Sequence, residues 1–297
     1  MRAVRTPDAS FEKLPGYDFE PRYIDELPGF PGLRMHLVDA GREDAKVTFL
    51  CLHGEPTWAY LYRKMIPVFT GAGYRVIAPD FFGFGRSDKP VEEATFTFGF
   101  HRRSLVELLR RLNLRNVCLV VQDWGGILGL TLPVEFPETI TRLIVMNTSL
   151  PVGESLGEGF AGWRSYVARK PDFKVSDLIK RSVAGISEEE AAAYDAPFPT
   201  ERARAGLRRF PELVMTDPGM EGIKETKAAR DFLSQDWRGA SLVAVGAKDP
   251  VFGVADMKRL AGRIRGAGDV LEIAEGGHFV QEHGQPIAEA ALAKFQL

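Results

Sequence analysis

Asp123, Asp249 and His278 are three residues whose chemical types and positions could together support catalysis. Each follows a run of apolar residues that predicts a buried strand, and the loops after parallel strands are where ligands bind. A carboxylate can attack an electrophilic carbon, a histidine can activate water, and a second carboxylate can hold the histidine in the required tautomer. A single Asp or His in such a loop is more often structural. Three of them, in the order nucleophile, acid and histidine, predict a catalytic set.

The segment around Asp123 predicts a structure that would expose this residue. Val117–Val121 is apolar and mostly β-branched, which is typical of a strand buried on both faces. Gly125 and Gly126 permit a sharp turn, and the apolar pattern of residues 127–134 predicts a helix after it. A strand, a tight turn and a helix form the context of a nucleophile elbow, here with Asp rather than Ser at its tip. The alternative is that Asp123 only caps the helix N-terminus.

The elements that must position these residues alternate between strand and helix. This alternation runs from residue 46 to 150 and resumes after 230, which predicts an α/β fold with a mostly parallel, doubly wound sheet. Leu33–Asp39 alternates in polarity and predicts an antiparallel edge strand. Between 150 and 229 only short helical patterns occur, separated by Gly and Pro. We therefore predict a core domain of residues 1–149 and 230–297, with residues 150–229 inserted as a helical cap domain.

Composition and charge argue against several classes of function. Of the 297 residues, 45% are hydrophobic and 26% are charged, as in an ordinary globular protein. The net charge of −2 argues against nucleic acid as the main partner. No run of about 18 apolar residues predicts a membrane span, and the first residues lack the apolar segment of a secretion signal. We therefore expect a cytoplasmic protein that binds neither nucleic acid nor a membrane.

No metal or other cofactor is expected. Cys51 and Cys118 lie in predicted buried strands, and no Cys-x-x-Cys or Cys/His cluster occurs. The loop with Gly83 and Gly85 lacks the third glycine of the dinucleotide fingerprint and the Gly-Lys-Ser/Thr ending of a P-loop. No exposed heptad or apolar stripe demands a second chain, so we expect a monomer.

Four segments together resemble the haloalkane dehalogenases of the α/β-hydrolase superfamily. They are His53-Gly54-Glu55-Pro56-Thr57-Trp58, the loop Asp80–Asp88, the elbow Val121–Gly126, and Gly277-His278-Phe279-Val280-Gln281-Glu282. The likeness extends from about residue 10 to the C-terminus and is nearest to the branch that acts on small chlorinated or brominated alkanes. It is weakest between Leu150 and Gly159, where the Gly-rich segment Pro151–Gly159 would shape the entrance to the site.

The resemblance implies that haloalkanes are hydrolysed to a primary alcohol, a halide ion and a proton. Asp123 would displace the halide from a saturated carbon and form an alkyl ester. His278 would then activate water as general base, with Asp249 orienting and stabilising its ring. The backbone N–H groups of Glu55 and Trp124 would hold the oxyanion. The expected partners are the haloalkane, water and halide.

A departing halide needs hydrogen-bond donors that cannot lose a proton to it. An indole N–H is such a donor on an apolar ring. Trp124 follows the nucleophile directly, and Trp163 matches the cap tryptophan of the family, so the resemblance assigns the halide site to these two residues. Without it, Trp163 would be interpreted as a core aromatic of the cap. Phe160, Val251 and Phe252 are also expected to line the pocket.

Two alternative functions stay open at this point. An epoxide hydrolase uses the same Asp–His–acid set but needs two cap tyrosines to protonate the epoxide oxygen, and Tyr166 and Tyr194 are candidates. A non-catalytic receptor with the hydrolase fold would keep the cavity and lose the chemistry. The intact set of Asp123, Asp249 and His278 argues against the receptor.

Overall fold

The computed structural model of the protein describes residues 1–297 and contains ten strands and ten α-helices. The strands are β1 (Ala3–Val4), β2 (Arg22–Asp25), β3 (Arg34–Ala40), β4 (Thr48–Leu52), β5 (Arg75–Pro79), β6 (Lys89–Pro90), β7 (Val117–Gln122), β8 (Ile140–Met146), β9 (Ala240–Gly246) and β10 (Val270–Ile273). The helices are α1 (Ile66–Gly71), α2 (Phe98–Leu112), α3 (Trp124–Gly129), α4 (Gly157–Arg169), α5 (Val175–Ser182), α6 (Glu188–Ala192), α7 (Ala205–Leu213), α8 (Ile223–Gln235), α9 (Val254–Ala261) and α10 (Gly284–Phe295).

Eight strands form one sheet in the order β2-β3-β5-β4-β7-β8-β9-β10. All neighbouring pairs from β5 to β10 are parallel, whereas β2 and β3 pair antiparallel. The central strands β4 and β7 are buried along their whole length, because their residues are apolar on both faces. The prediction of a mostly parallel, doubly wound sheet is confirmed.

The prediction that Leu33–Asp39 forms the edge strand is wrong in its position. The strand exists as β3 and is antiparallel, but β2 covers its outer side and pairs Arg22 with Leu37 and Asp25 with Arg34. With four residues, an exposed arginine at one end and an exposed aspartate at the other, β2 carries no readable alternation. Short, charged strands are typical of sheet edges, where they discourage pairing with another chain.

Helices cover the sheet and complete a single large apolar core. Helix α1 contacts α10 and β5, α2 contacts α3, and α3 also contacts β4 and β7. Cys51 and Cys118 are buried free thiols within this core, as the sequence predicts. None of the helices combines the length and the apolar character needed to cross a membrane.

Between β8 and β9 the chain forms helices α4 to α8 and no strand. This agrees with the helical character expected for the cap, while its boundaries at residues 150 and 229 stay a prediction. In the sequence, the last strand residue before this helical segment is Met146, and the first strand residue after it is Ala240. Because β7, β8 and β9 are parallel, the segment begins at the carboxyl edge of the sheet, next to the loops after β7 and β9, and ends at the opposite edge, where β9 begins.

A buried polar cluster joins the helical segment to the core. The Arg63 guanidinium donates to Glu282 Oε1 at 2.6 Å and to Glu190 Oε1 at 2.7 Å. The hydroxyl of Tyr194 donates to the same Glu282 carboxylate. Arg63 and Glu282 are buried core residues, whereas Glu190 and Tyr194 belong to the helical segment. Two of these contacts, Arg63 with Glu190 and Tyr194 with Glu282, cross between the core and the helical segment, so separating the two parts would leave polar groups of the cluster without partners.

Candidate active site

Asp123 lies at a strained bend between β7 and α3. Its φ of 50° and ψ of −124° are unusual for a residue with a side chain. The bend is held by the Asp123 N–H, which donates to Asn147 O at 3.0 Å, and by the Thr148 hydroxyl, which donates to Asp123 O at 2.7 Å. A Cβ at Gly125 would lie 2.0 Å from Leu52 O, so only glycine permits the close approach of α3 to β4. The local packing therefore fixes the orientation of Asp123.

The Asp123 carboxylate faces other functional groups and does not cap α3. Its side chain makes no capping hydrogen bond to the helix. The Glu55 N–H donates to Oδ1 at 2.8 Å, and His278 Nε2 lies 3.5 Å from Oδ2. The backbone N–H of Trp124, the other expected oxyanion donor, makes no hydrogen bond to this carboxylate. A Cβ at Gly54 would come within 2.5 Å of Oδ1, so glycine keeps this space open.

Asp249 and His278 come from the loops after β9 and β10 and form a hydrogen-bonded pair. His278 Nδ1 lies 2.8 Å from Asp249 Oδ2. The same carboxylate accepts the Asn147 side-chain amide at 2.8 Å and the Val251 N–H at 2.7 Å. With every oxygen of Asp249 occupied and Nε2 of His278 directed toward Asp123, the three residues form one connected chain. The structure thus brings together the three residues singled out by their types and order.

The two carboxylates control the charge of the histidine. Burial lowers the pKa of His278, but the charge of Asp249 and the hydrogen bonds to Asp123 and Asp249 outweigh it and raise the pKa to about 10. Burial also works to raise the pKa of Asp249, yet the charge and hydrogen bond of His278 bring it below its usual value. At neutral pH, His278 is therefore an imidazolium between two anions, as long as Asp123 keeps its negative charge.

A cavity of about 150 Å³ opens in front of these residues. Ten of its 18 lining residues are hydrophobic, so the cavity suits a small apolar ligand rather than a charged one. The residues expected to line a pocket all do so, and they share the wall with the functional groups: Asp123, His278, Glu55, Trp124, Trp163, Phe160, Val251 and Phe252.

The two tryptophans differ in what their indole N–H groups contact. Trp124 is buried, packs edge-on against Phe210 with ring centroids 4.9 Å apart, and its indole N–H donates to no protein group. Trp163 comes from α4 and donates its indole N–H to Glu55 Oε2 at 3.2 Å. Both rings reach the same cavity. The indole N–H of Trp124 is therefore free to bind an anion, whereas the indole N–H of Trp163 already donates to Glu55, which an anion would have to displace.

The side chain of Glu55 is a feature of the site that the sequence did not reveal. It is buried in the cavity wall, its Oε2 accepts Trp163, and its Oε1 has no hydrogen-bond partner. Burial and then the nearby charge of Asp123 raise the pKa of Glu55 well above the usual range. A neutral carboxylic acid is thereby favoured beside Asp123. The available sequence signal was an acidic residue in the loop that directly follows the apolar strand β4.

Asn147 is the second functional group that sequence reasoning missed. It directly follows β8, has a φ of 22°, and links the loop after β9 to the bend after β7, where the Asp123 N–H donates to its carbonyl oxygen. Its side-chain amide donates to Asp249 Oδ2 and to Phe252 O, and its side-chain oxygen accepts the Gly246 N–H at 2.8 Å. It therefore positions the acid relative to the bend at Asp123. Its place at the carboxyl end of a parallel strand was the available signal.

The candidate tyrosines lie away from the cavity. Tyr194 is buried and its hydroxyl donates to Glu282 in the cluster that joins the helical segment to the core. Tyr166 stacks on Trp163, and its hydroxyl accepts Arg181 at 3.5 Å. Neither lines the cavity. The acids that an epoxide hydrolase would require are therefore not placed beside Asp123.

His53 supports the backbone of the loop that carries Glu55. Its Nε2 accepts the Phe81 N–H at 2.9 Å, and its Nδ1 lies 2.9 Å from Gly54 O. The other two tryptophans donate to groups outside the cavity: Trp58 to Ala193 O and Trp237 to the Ser241 hydroxyl. No group of three or more His, Cys, Asp or Glu side chains is arranged to hold a metal ion.

Comparison with known proteins gives consistent matches over the whole chain. A family model described as the alpha/beta hydrolase fold matches residues 47–285. The chain is 42% identical over 296 residues to a haloalkane dehalogenase from Psychrobacter cryohalolentis, covering 97% of this chain and 96% of that protein. It is 39% identical to one from Mycobacterium marinum, covering 99% of both. Its structure is similar to the tetrameric structure of haloalkane dehalogenase DpaA from Paraglaciecola agarilytica NO2, with a TM-score of 0.98, 46% identity and full coverage of both chains.

Proposed function

The chain belongs to the haloalkane dehalogenases, within the α/β-hydrolase fold, and on that premise we propose which of its residues carry out the reaction. It is a hydrolase that acts on carbon–halide bonds. We assign the nucleophile to Asp123, the base to His278 and the orienting acid to Asp249. The observation that carries this assignment is the continuous contact from Asp249 through His278 to Asp123 at the wall of one apolar cavity.

In the first step, Asp123 displaces the halide. Its Oδ1 is held by the Glu55 N–H, which leaves Oδ2 to attack the carbon that bears the halogen. A C–O bond forms as the carbon–halogen bond breaks, and the halide leaves with the bonding electron pair. The product is an alkyl ester on Asp123. The apolar cavity favours this step because it removes water from the attacking carboxylate and from the alkyl chain.

The leaving halide is stabilised by the indole N–H groups of Trp124 and Trp163. Trp124 has a free donor, and Trp163 exchanges its hydrogen bond to Glu55 for one to the halide. A neutral Glu55 makes this exchange easier, because it adds no negative charge beside the anion. The raised pKa of Glu55 supports this assignment.

In the second step, His278 becomes the base because the ester has changed its surroundings. Esterification removes the negative charge of Asp123, which is one of the causes of the raised pKa of His278. The pKa falls, so the ring can lose its proton and then take one from water. Hydroxide attacks the ester carbonyl carbon, and the oxyanion develops on Oδ1, where the Glu55 N–H already donates. Collapse of this intermediate breaks the bond between the carbonyl carbon and the alkoxy oxygen, which takes the proton from His278 and leaves as the alcohol. The carboxyl group of Asp123 returns the remaining proton of the water to His278, so the net proton released to solvent is the one that the ring lost first.

We further propose that the substrates are small chlorinated or brominated alkanes, since the cavity measures only about 150 Å³. A monomer stays our proposal for the assembly, because the only exposed large hydrophobic residues are Met1 and Val134. The related DpaA structure is described as tetrameric, which makes oligomeric state a property in which the two proteins would differ.

The choice between carbon–halogen and epoxide chemistry is tested by direct comparison of substrates. We expect 1-bromobutane or 1,2-dibromoethane to release bromide faster than styrene oxide yields diol, because the cavity offers indole donors and no phenol acid. Bromide is measured colorimetrically and diol by chromatography at equal enzyme and substrate concentrations. Faster formation of diol would contradict the proposed chemistry.

The halide site is tested by bromide quenching of tryptophan fluorescence. Replacing Trp163 with Phe removes one donor to a charged acceptor, worth about 1.5–3 kcal/mol, so the bromide dissociation constant should rise about tenfold or more. Trp58→Phe is the matched control, since Trp58 is buried and donates to Ala193 O outside the cavity. An unchanged bromide affinity in Trp163→Phe would remove Trp163 from the halide site.

A further inference from the structure

A second cavity of about 380 Å³ lies directly beside the catalytic one. The two share the side chains of Leu156, Val251 and Phe252, so a wall one residue thick separates them. The second cavity is bordered by the loop after β8, the segment that leads into α4, and helices α8 and α9. In contrast to the catalytic cavity, most of its lining residues are polar or charged, with five hydrophobic residues among 14.

The charges around the second cavity favour an anion. Its walls hold the three arginines Arg230, Arg259 and Arg263 against the two acids Glu154 and Asp256. Arg230 is neutralised by Glu154 at 2.9 Å, and Arg259 pairs with Asp256. Arg263 is exposed and forms no ion pair, which leaves one positive charge uncompensated at the cavity.

The hydroxyl of Ser149 is unpaired and also suits a polar ligand. Ser149 lines the same cavity, and its Oγ is buried without a hydrogen-bond partner. Buried polar groups are rarely left unpaired in folded proteins. A hydroxyl can donate to an anion, and a guanidinium can contribute charge and further donors. Together Ser149 and Arg263 suit a small monovalent anion.

The wall between the cavities contains a segment with two glycine bends. Gly153 has a φ of 93° and Gly157 a φ of 86°, and Leu156 lies between them. Leu156 is only partly buried, and its neighbours Glu154 and Ser155 are exposed. Leu156 immediately precedes α4, whose first residue is Gly157, so rotation at the two glycines would move Leu156 together with the start of this helix. Among the residues shared by the two cavities, Leu156 is the one flanked by such bends.

We propose that the halide leaves the catalytic cavity past Leu156 and binds transiently in the arginine-lined cavity before it reaches solvent. This inference rests on the proposed function, in which Trp124 and Trp163 hold the halide at first. An anion that leaves two indole donors in an apolar cavity meets a high barrier unless positive charge compensates for the lost contacts. Arg263 supplies that charge on the far side of Leu156, only one wall away.

Stopped-flow fluorescence of bromide binding and release tests the exit route. A site on the route lowers the barrier in both directions, so Arg263→Glu should slow bromide association and dissociation alike, by about fivefold for a reversal of charge near the surface. The bromide dissociation constant should change less than about twofold, since the initial halide site is intact. Arg103→Glu is the matched control, because Arg103 is exposed on α2, makes no ion pair and lines neither cavity.

Leu156 variants provide an independent arm. Leu156→Ala should accelerate bromide release and Leu156→Trp should slow it, with thermal unfolding used to verify that both variants fold. Unchanged release rates in both Leu156 variants and in Arg263→Glu would overturn the proposed route. A weaker affinity of Arg263→Glu at an unchanged release rate would also overturn it, because that result indicates only long-range attraction.

Failure of the route and failure of the halide site give different results. Bromide quenching that is present in the wild-type enzyme and weakened in Trp163→Phe establishes the initial site independently of the exit. If that quenching is absent in the wild-type enzyme, the halide site itself is wrong. If it is present while the Arg263 and Leu156 variants release bromide at the wild-type rate, only the route is wrong.

Discussion

Replacing Asp123 with alanine is expected to reduce the release of bromide from 1-bromobutane by about 10⁴-fold or more. The substitution removes the oxygen that forms the new bond to carbon, and no neighbouring group can replace it. Asp249 is fully engaged by His278, Asn147 and Val251. Burial and then the charge of Asp123 raise the pKa of Glu55 well above its usual range, which disfavours the charged form that a carboxylate nucleophile needs. Steady-state bromide release measures the loss.

The Asp123→Ala result requires evidence that the fold is intact. Asp44→Ala is a matched control, because Asp44 is exposed, pairs only with Arg42 and lies in the loop before β4. It should keep wild-type turnover. We expect Asp123→Ala to unfold at a temperature no lower than the wild-type protein, since active-site residues in strained backbone conformations are often destabilising. Turnover above one per cent in Asp123→Ala would show that another group attacks the substrate.

Replacing His278 with glutamine should stop the reaction after the first step. The amide of glutamine cannot accept a proton from water, so the ester on Asp123 forms and persists. We expect one equivalent of bromide to be released rapidly from 1-bromobutane, and turnover thereafter to fall by about 10³-fold or more. Intact-protein mass spectrometry should show the butyl group in place of one proton.

The double variant Asp123→Ala/His278→Gln tests whether the butyl group is attached to Asp123. It should carry no butyl group under the same conditions, and peptide mapping of the single variant should locate the ester in the peptide that contains Asp123. The wild-type enzyme should show no adduct at steady state if hydrolysis is not limiting. Absence of the adduct in His278→Gln after incubation with bromoalkane would contradict the role of His278 as the base of the second step.

Much of the fold could be predicted from the sequence because its central strands are continuous apolar runs. β4 and β7 are buried on both faces, so their apolar residues indicate both that these segments are strands and that they lie in the centre of the sheet. The loops after parallel strands meet at one edge of the sheet. The types and the order of Asp123, Asp249 and His278 were therefore sufficient to predict that their side chains lie close together. β2 was not predicted, because a four-residue edge strand with exposed charged ends has no apolar face to recognise.

Side-chain pairings between distant segments could not be predicted in the same way. Asn147 and Asp249 are 102 positions apart, and nothing in either segment indicates that they share a hydrogen bond. Tyr194 was a reasonable candidate acid from its place in the cap, yet its hydroxyl meets Glu282, 88 positions away. The bond between Trp163 and Glu55 spans 108 positions and changes the interpretation of both residues. Such contacts depend on how the helical segment packs on the sheet.

The cluster of Arg63, Glu190, Tyr194 and Glu282 limits how this enzyme can admit and discharge molecules. Lifting the whole helical segment away from the core would break the ion pair between Arg63 and Glu190 and the hydrogen bond from Tyr194 to Glu282, which lies four positions after His278. The helical segment is therefore expected to stay in contact with the core throughout the catalytic cycle. The exchange of substrate and product with solvent then depends on small local openings. Selection among haloalkanes is therefore set by the width of these openings rather than by the volume of the catalytic cavity.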